Sequence, residues 1–179
     1  MAGRRGRYRV LGIDPGLTRM GYGVVEESGG RLTELAAGTL KSAPADPTPG
    51  RLLGLFDRLA ELLARFEPDG VAVERVFFKV NARTAVPAMQ AAGVALLAAA
   101  QAGVEVEEYT PLEVKMAVAG TGTAGKDQVR FMVERLVSSP AGGGPRRGAD
   151  TTDALAVAVC HLHSRRLRSV QRGAAAGAP

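Results

Sequence analysis

Four acidic residues stand apart from the other acids of the chain because each lies at the boundary of an apolar run. Asp14 ends the first such run, Glu74 ends a later one, and Asp150 and Asp153 open the apolar segment near the C-terminus. A carboxylate beside a hydrophobic core is costly unless a positive group neutralises it. Carboxylate oxygens are ligands that Mg²⁺ and Mn²⁺ prefer. If the four side chains meet in the fold, they would form a divalent-metal site.

Helix capping is the simpler interpretation of Asp150 and Asp153. The tetrapeptide Asp-Thr-Thr-Asp precedes an apolar helical segment, and an N-cap stabilises a helix by about 1 kcal/mol. The two residues also lie three positions apart, which places them on one face of a helix. Asp14 and Glu74, at the ends of two strands, favour the metal site, because capping leaves those two acids unexplained.

The elements that must position these acids are predicted from the spacing of apolar residues and turns. Strands over 8–14, 21–27 and 31–40 are joined by short loops, which is typical of an antiparallel meander. Strands over 71–74 and 104–109 each follow a helical segment, so the strand over 71–74 is expected to run parallel to the first. Helices are predicted over 49–66, 81–101, 111–120 and 126–137 and from residue 150 onward.

This order predicts an α/β fold with helices on both faces of a five-stranded mixed sheet. The sheet consists of three antiparallel strands followed by β-α-β units. The C-terminal ends of adjacent parallel strands meet at one edge of such a sheet, where ligands bind. Asp14 and Glu74 would lie at that edge, and a helix packed across it would bring Asp150 and Asp153 to the same place.

Length and cysteine content indicate one globular domain without internal disulfide bonds. The 179 residues contain no internal repeat or linker, so we predict a single domain over 1–170 and a disordered tail over 171–179. Cys160 is the only cysteine, which excludes an internal disulfide and a cysteine-based zinc site.

Charge and hydropathy bear on location and partners. No apolar run approaches the ~20 residues of a membrane span. No hydrophobic signal core follows the basic N-terminus, so we expect a cytoplasmic protein without membrane contact. The net charge of +5 suits a polyanionic partner, although much of the excess lies in the two chain ends.

Five short sequence blocks carry more information together than the individual acids do. Three of them contain the four acids, and the other two contain Lys115 and Lys126. In chain order they are GIDPG (12–16), VERVF (73–77), TPLEVK (110–115), GTGTAGK (120–126) and DTTDALA (150–156). The segment that holds them, from about residue 9 to 163, resembles the RuvC family of crossover junction endodeoxyribonucleases.

The resemblance implies a ribonuclease H-like fold and an endonuclease that resolves four-way (Holliday) DNA junctions in recombination and repair. It implies that Asp14, Glu74, Asp150 and Asp153 are catalytic and bind two Mg²⁺ or Mn²⁺ ions per active site, with Asp14 bridging them. Some family members carry His at the position of Asp150. Two such ions would activate the attacking water and stabilise the leaving oxygen during hydrolysis.

Seven further residues are expected to contact DNA, three of them because of the family resemblance. Lys115 and Lys126 match family lysines that contact DNA near the cut, and Phe77 matches an aromatic that stacks on a base at the junction centre. The other four are Arg75, Phe78, Lys79 and Arg83. The alternatives are solvated helix ends for the lysines and core packing for the two phenylalanines.

A homodimer is expected because a four-way junction has approximate two-fold symmetry and its resolution requires two matched cuts. The helix over 81–101 is rich in small residues and is the predicted interface. The alternative is that this helix packs only on its own sheet. The resemblance also implies association with branch-migration proteins of the RuvA and RuvB type.

Three other functions are consistent with parts of the sequence. A sugar-kinase-like phosphotransferase also has an Asp-x-Gly hairpin, but it requires a second such half and a longer chain. A junction-binding scaffold without catalysis would not need four acids. A third possibility is another ribonuclease H-like nuclease that acts on RNA or on flaps. Only the family resemblance favours a junction endonuclease over this possibility. His161 and His163 lie more than two helical turns beyond Asp153, so we expect them to pack or face solvent rather than share its metal.

Overall fold

A computed structural model describes residues 6–76, 82–139 and 148–176, and within these ranges it describes only the backbone of 82–84 and 166–176. The elements in chain order are β1 (Arg7–Asp14), β2 (Arg19–Ser28), β3 (Arg31–Lys41), α1 (Thr48–Phe66), β4 (Gly70–Glu74), α2 (Ala82–Gln101), β5 (Val106–Tyr109), α3 (Pro111–Ala119), α4 (Lys126–Leu136), β6 (Val137–Ser138) and α5 (Ala149–Ala176). The predicted α/β order is confirmed.

One mixed sheet holds all these strands, in the order β5-β4-β1-β2-β3-β6. The first three strands form the predicted antiparallel meander, and β4 runs parallel to β1 with Ile13 opposite Val73. The sheet has six strands rather than the five predicted. The sixth is a two-residue strand in which Val137 pairs with Leu32 of β3. Two residues at the end of an amphipathic helix carry no alternating pattern, so the sequence did not reveal them.

Two hydrophobic clusters cover the two faces of the sheet. On one face α1 and α2 pack against β1, β2 and β4, and the fully buried side chains of α1 are Leu55 and Leu59. On the other face α3, α4 and α5 form the second cluster. Full burial of a leucine side chain contributes roughly 1.5–3 kcal/mol. The prediction of helices on both faces is confirmed.

Helix α5 lies unusually close to β1 and β2 because glycines face it. A Cβ at Gly12 would lie 2.2 Å from the carbonyl oxygen of Ala154, and one at Gly21 would lie 2.0 Å from that of Asp150. Any side chain at these positions would collide with the helix backbone. The glycines therefore let the first turns of α5 rest directly on the meander.

Local signals set the ends of the helices. Thr110 and Glu113 form the predicted capping box of α3, in which the backbone N–H of Thr110 donates to Glu113 Oε2 at 2.7 Å. Helix α1 begins at Thr48, one residue earlier than predicted, and Pro47 is its N-cap. Glu113 therefore has a structural role at a helix cap. Asp14 and Glu74, the carboxylates at the strand ends, are not explained by capping.

The C-terminal helix extends further than expected. We predicted a disordered tail over 171–179, but α5 is helical through Ala176. Residues 174–176 are alanines, and alanine has the highest helix propensity of any residue type, which accounts for the longer helix. Residues 177–179 lie outside the described residues. Within the described parts of the chain, no helix is both long and apolar enough to cross a bilayer.

Candidate active site

The sheet and α5 bring the four acids of the sequence blocks to one place. Asp14 is the last residue of β1 and Glu74 is the last residue of β4, and these two strands are parallel neighbours. Asp150 and Asp153 lie in the first turn and a half of α5, beside that edge. All four side chains line one open cavity of about 450 Å³. The predicted convergence is therefore present, while the role of the four acids as metal ligands stays a prediction.

Two lysines line the same cavity from the α3 and α4 side. Lys115 belongs to α3, and Lys126 is the first residue of α4. The Lys126 ammonium lies 3.7 Å from Asp153 Oδ2, on a side chain that is 85% exposed. At that exposure the ion pair contributes little to stability, and the lysine is free to reorient toward an incoming anion.

A third cation, which contacts one of the cavity-lining acids, was not predicted from the sequence. Arg19 opens β2, and its Nε donates to Asp150 Oδ2 at 2.7 Å. The available signal was the short turn after Asp14, which returns the chain antiparallel and places the start of β2 beside the end of β1. Each acid of α5 is thus paired with its own cation, Asp150 with Arg19 and Asp153 with Lys126.

Burial and crowding hold protons on the carboxyl groups. Desolvation raises the pKa of Asp14 to about 7, and the nearby charges of Glu74, Asp153 and Asp150 add to the shift. Burial followed by the charge of Asp153 raises the pKa of Glu74 to about 7, against the opposing effect of Lys126 and Lys115. Burial also raises the pKa of Asp153, which Lys126 opposes. The site is therefore short of positive charge.

The donor set suits a hard divalent cation, because every acidic group at the cavity offers carboxylate oxygens. In the described part of the chain, no three acidic, histidine or cysteine side chains are grouped as a preformed metal site. Asp150 and Asp153 instead contact Arg19 and Lys126. For these two carboxylates to bind a metal ion, they would have to give up their ion pairs with Arg19 and Lys126.

The predicted DNA contacts divide into those near the cavity and those outside the described residues. Lys115 and Lys126 line it, and Arg75 is exposed directly after Glu74, where its N–H donates to the carbonyl of Tyr109 at 2.8 Å. The other four predicted contacts lie outside the described part of the chain. Phe77, Phe78 and Lys79 are not among the described residues, and Arg83 is described only by its backbone.

The two histidines lie away from the cavity lining. His161 is buried, with its Nδ1 3.1 Å from the hydroxyl of Tyr109 and its Nε2 3.4 Å from that of Tyr8. His163 Nδ1 lies 2.9 Å from the carbonyl oxygen of Ala117. Both are packing residues, as expected. Cys160 is likewise buried.

Comparison with known proteins identifies relatives over most of the chain. The proteins named "Crossover junction endodeoxyribonuclease RuvC" in Salinispora arenicola and Pelobacter propionicus are 53% and 50% identical to this chain. The first alignment covers 86% of this chain and 87% of the relative, and the second covers 89% and 88%. The identities extend well beyond the five short blocks.

Solved structures agree with the sequence relatives. "T. thermophilus RuvC in complex with Holliday junction substrate" has a TM-score of 0.82 and 37% identity, covering 89% of this chain and 96% of that one. The yeast mitochondrial Holliday junction resolvase shares the fold, with a TM-score of 0.66 at 12% identity and coverage of 87% and 78%. The family profile described as "Crossover junction endodeoxyribonuclease RuvC" matches residues 10–161. The chain therefore belongs to the RuvC family of crossover junction endodeoxyribonucleases, with their ribonuclease H-like fold.

Proposed function

We propose that this endonuclease resolves four-way DNA junctions by paired, symmetric phosphodiester cuts with a two-metal-ion mechanism, in recombination and repair. The observation that carries the proposal is the convergence of four carboxylates in one cavity, two of them with a pKa raised to about 7. Family membership implies dependence on divalent metal ions in general. The finer assignment is two Mg²⁺ or Mn²⁺ ions per active site.

Asp14, Glu74, Asp150 and Asp153 would hold the ions. Asp14 is the residue proposed to bridge them, because its pKa responds to the charges of all three other acids. Two divalent ions held by these residues would lower the pKa of a bound water and offset the negative charge of the leaving oxygen. The carboxylates must lose their protons for this purpose, and the open cavity leaves room for a substrate phosphate beside them.

The two lysines of the cavity would orient the DNA backbone. Lys115 and Lys126 line the cavity from α3 and α4, and each can hold a phosphate as a point charge. Lys126 is also placed to stabilise negative charge at the scissile group, since it contacts Asp153. The proposed substrate interface also includes Phe77, which would stack on a base at the junction centre. Its further DNA contacts would be Arg75, Phe78, Lys79 and Arg83.

A homodimer formed through α2 would supply the second cut. The small residues of α2, Ala91, Ala95 and Ala99, are buried in the cluster that α2 forms with α1 and the sheet. Large apolar side chains on the same helix face outward, with Met89 41% and Leu97 60% exposed. An exposed apolar face on a helix is typical of a protein interface. The proposal also includes branch-migration proteins of the RuvA and RuvB type as partners. It further includes a cytoplasmic location.

Cleavage of a synthetic four-way junction with Mg²⁺ or Mn²⁺ tests the assignment. Asp14→Asn should bind the junction and leave it uncut. Undiminished cutting by this variant would contradict the metal-site assignment. Preferential cutting of linear duplex or of an RNA hybrid would favour another ribonuclease H-like activity, and binding without cutting by the wild type would favour a scaffold.

A further inference from the structure

We propose that Arg19, Lys41, Arg51 and Arg58 form a second phosphate-binding surface, which holds a DNA strand on the β2–β3 side of the active-site cavity. We call this set the meander-edge strip. It rests on the proposed function, because it extends the binding path of the same DNA substrate. Lys115 and Lys126 line the cavity from α3 and α4, and the strip would add cations from β2, β3 and α1.

The strip begins beside Asp150, one of the residues that line the cavity. Arg19 is in contact with Asp150 through Nε, on a side chain that is 52% exposed. In the antiparallel register of β2 and β3, Arg19 stands directly opposite Lys41. Like charges in directly opposite positions of two strands are destabilising. The ion pair with Asp150 offsets part of this repulsion in the DNA-free protein, and a phosphate between the two cations would offset the rest.

Arg51 continues the strip on α1 and is held in place by neutral groups. Its Nε donates to Ser42 Oγ at 2.9 Å, and its Nη2 donates to Thr18 Oγ1 at 2.7 Å. Neither acceptor carries a charge, so the guanidinium is oriented but not neutralised. Arg51 also lies in the first turn of α1, which contains no acidic residue. The positive end of the helix dipole there disfavours a cation and favours an anion.

Arg58 lies two turns further along α1 and contacts the end of β3. Its Nη1 donates to the carbonyl oxygen of Lys41 at 2.8 Å, again a neutral acceptor. Among the residues that the structure describes, Lys41, Arg51 and Arg58 form no ion pair. Adjacent cations without carboxylate partners create a field that attracts a polyanion. The connection of the strip to the catalytic cavity identifies that polyanion as the substrate DNA backbone.

The test is the salt dependence of junction binding, measured in the Asp14→Asn background so that no strand is cut. Each phosphate contact that is lost lowers the slope of log K against log salt concentration by about 1. The triple variant Arg19→Gln, Lys41→Gln and Arg58→Gln should lower the slope by about 3 and weaken binding at each salt concentration. Arg31→Gln, at the opposite end of β3, removes a matched charge and should leave the slope unchanged.

A stability measurement separates DNA binding from a structural role. Lys41→Gln removes the repulsion from Arg19, so the melting temperature of the DNA-free protein should stay the same or rise while junction affinity falls. A triple variant with the slope of its parent would overturn the proposal, as would an equal loss in the Arg31→Gln control. Failure of the parent itself to bind a junction would contradict the proposed function rather than the strip.

Discussion

Gly21 of β2 and Asp150 of α5 are in backbone contact: a Cβ at Gly21 would lie 2.0 Å from the carbonyl oxygen of Asp150. Gly21 is also the register partner of Asp14. The same glycine therefore stands beside one proposed catalytic acid, Asp14, in the sheet and beneath another, Asp150, in the helix. The distance between the two acids depends on the absence of a side chain at this position.

Gly21→Ala should accordingly displace the start of α5 and separate Asp150 and Asp153 from Asp14. Overpacking against backbone costs roughly 1–3 kcal/mol, so we expect a lower melting temperature and a large loss of junction cutting. Gly54→Ala is the matched control. A Cβ at Gly54 meets no atom within 4 Å in the middle of α1, so that variant should be more stable by about 0.5–1 kcal/mol. Wild-type cutting by Gly21→Ala would contradict the inferred role of the close packing.

The sequence predicted the meander, the parallel fourth strand and the convergence of the acids because each rests on a local pattern. Asp14 and Glu74 end apolar runs, and that pattern alone places them at a sheet edge. The contact of Arg19 with Asp150 depends on how closely α5 approaches β2, a tertiary distance set by glycines facing the helix. The two-residue strand β6 depends on docking against β3 and has no pattern of its own.

The raised pKa values predict how stability depends on pH without metal. Asp14 has a usual pKa of 3.8 and a folded-state pKa of about 7, so between these values the folded state holds a proton that the unfolded state has lost. The contribution of this group is therefore fully present below pH 4 and is lost as the pH rises through about 7. Asp14→Asn should remove this loss and exceed the wild type in stability at pH 8 by about 1–3 kcal/mol.

Urea unfolding of both proteins in a chelator at pH 5 and pH 8 checks this expectation. The difference in unfolding free energy between Asp14→Asn and the wild type should grow with pH. Asp57→Asn, an exposed acid on α1, is the matched control and should show no such growth. A difference that is constant between the two pH values would mean that Asp14 is not protonated in the folded state at pH 5.

Metal binding should release protons, because ions compete with protons for the same carboxylates. Both Asp14 and Glu74 have a pKa of about 7, so Mg²⁺ affinity should rise steeply between pH 6 and 8. Titration calorimetry in two buffers of different ionisation enthalpy gives the number of protons released. We expect release at pH 6.5 and little at pH 9. No release at pH 6.5 would indicate that the ions bind elsewhere.

Lys126 and Lys115 should differ in their effect on the pH profile. Lys126 lowers the pKa of Asp14, Glu74 and Asp153, whereas Lys115 contributes to the lowering at Glu74, where its effect is smaller than that of Lys126. Lys126→Met should therefore move the acidic limb of the rate profile to higher pH, and Lys115→Met should move it less. Both variants should also cut more slowly, since each removes a proposed phosphate contact. Equal shifts in the two variants would contradict this ordering.

The proposed dimer can be tested with two leucines of nearly equal exposure. Leu97 on α2 is 60% exposed and Leu53 on α1 is 61% exposed, so a glutamate at either position has a similar local cost. If α2 forms the interface, Leu97→Glu buries a charge between two copies and should yield monomers in sedimentation velocity, whereas Leu53→Glu should remain dimeric. The Leu97→Glu monomer should nick one strand of a junction without the paired second cut. Dimers in both variants, or monomers in both, would contradict the assignment of the interface to α2.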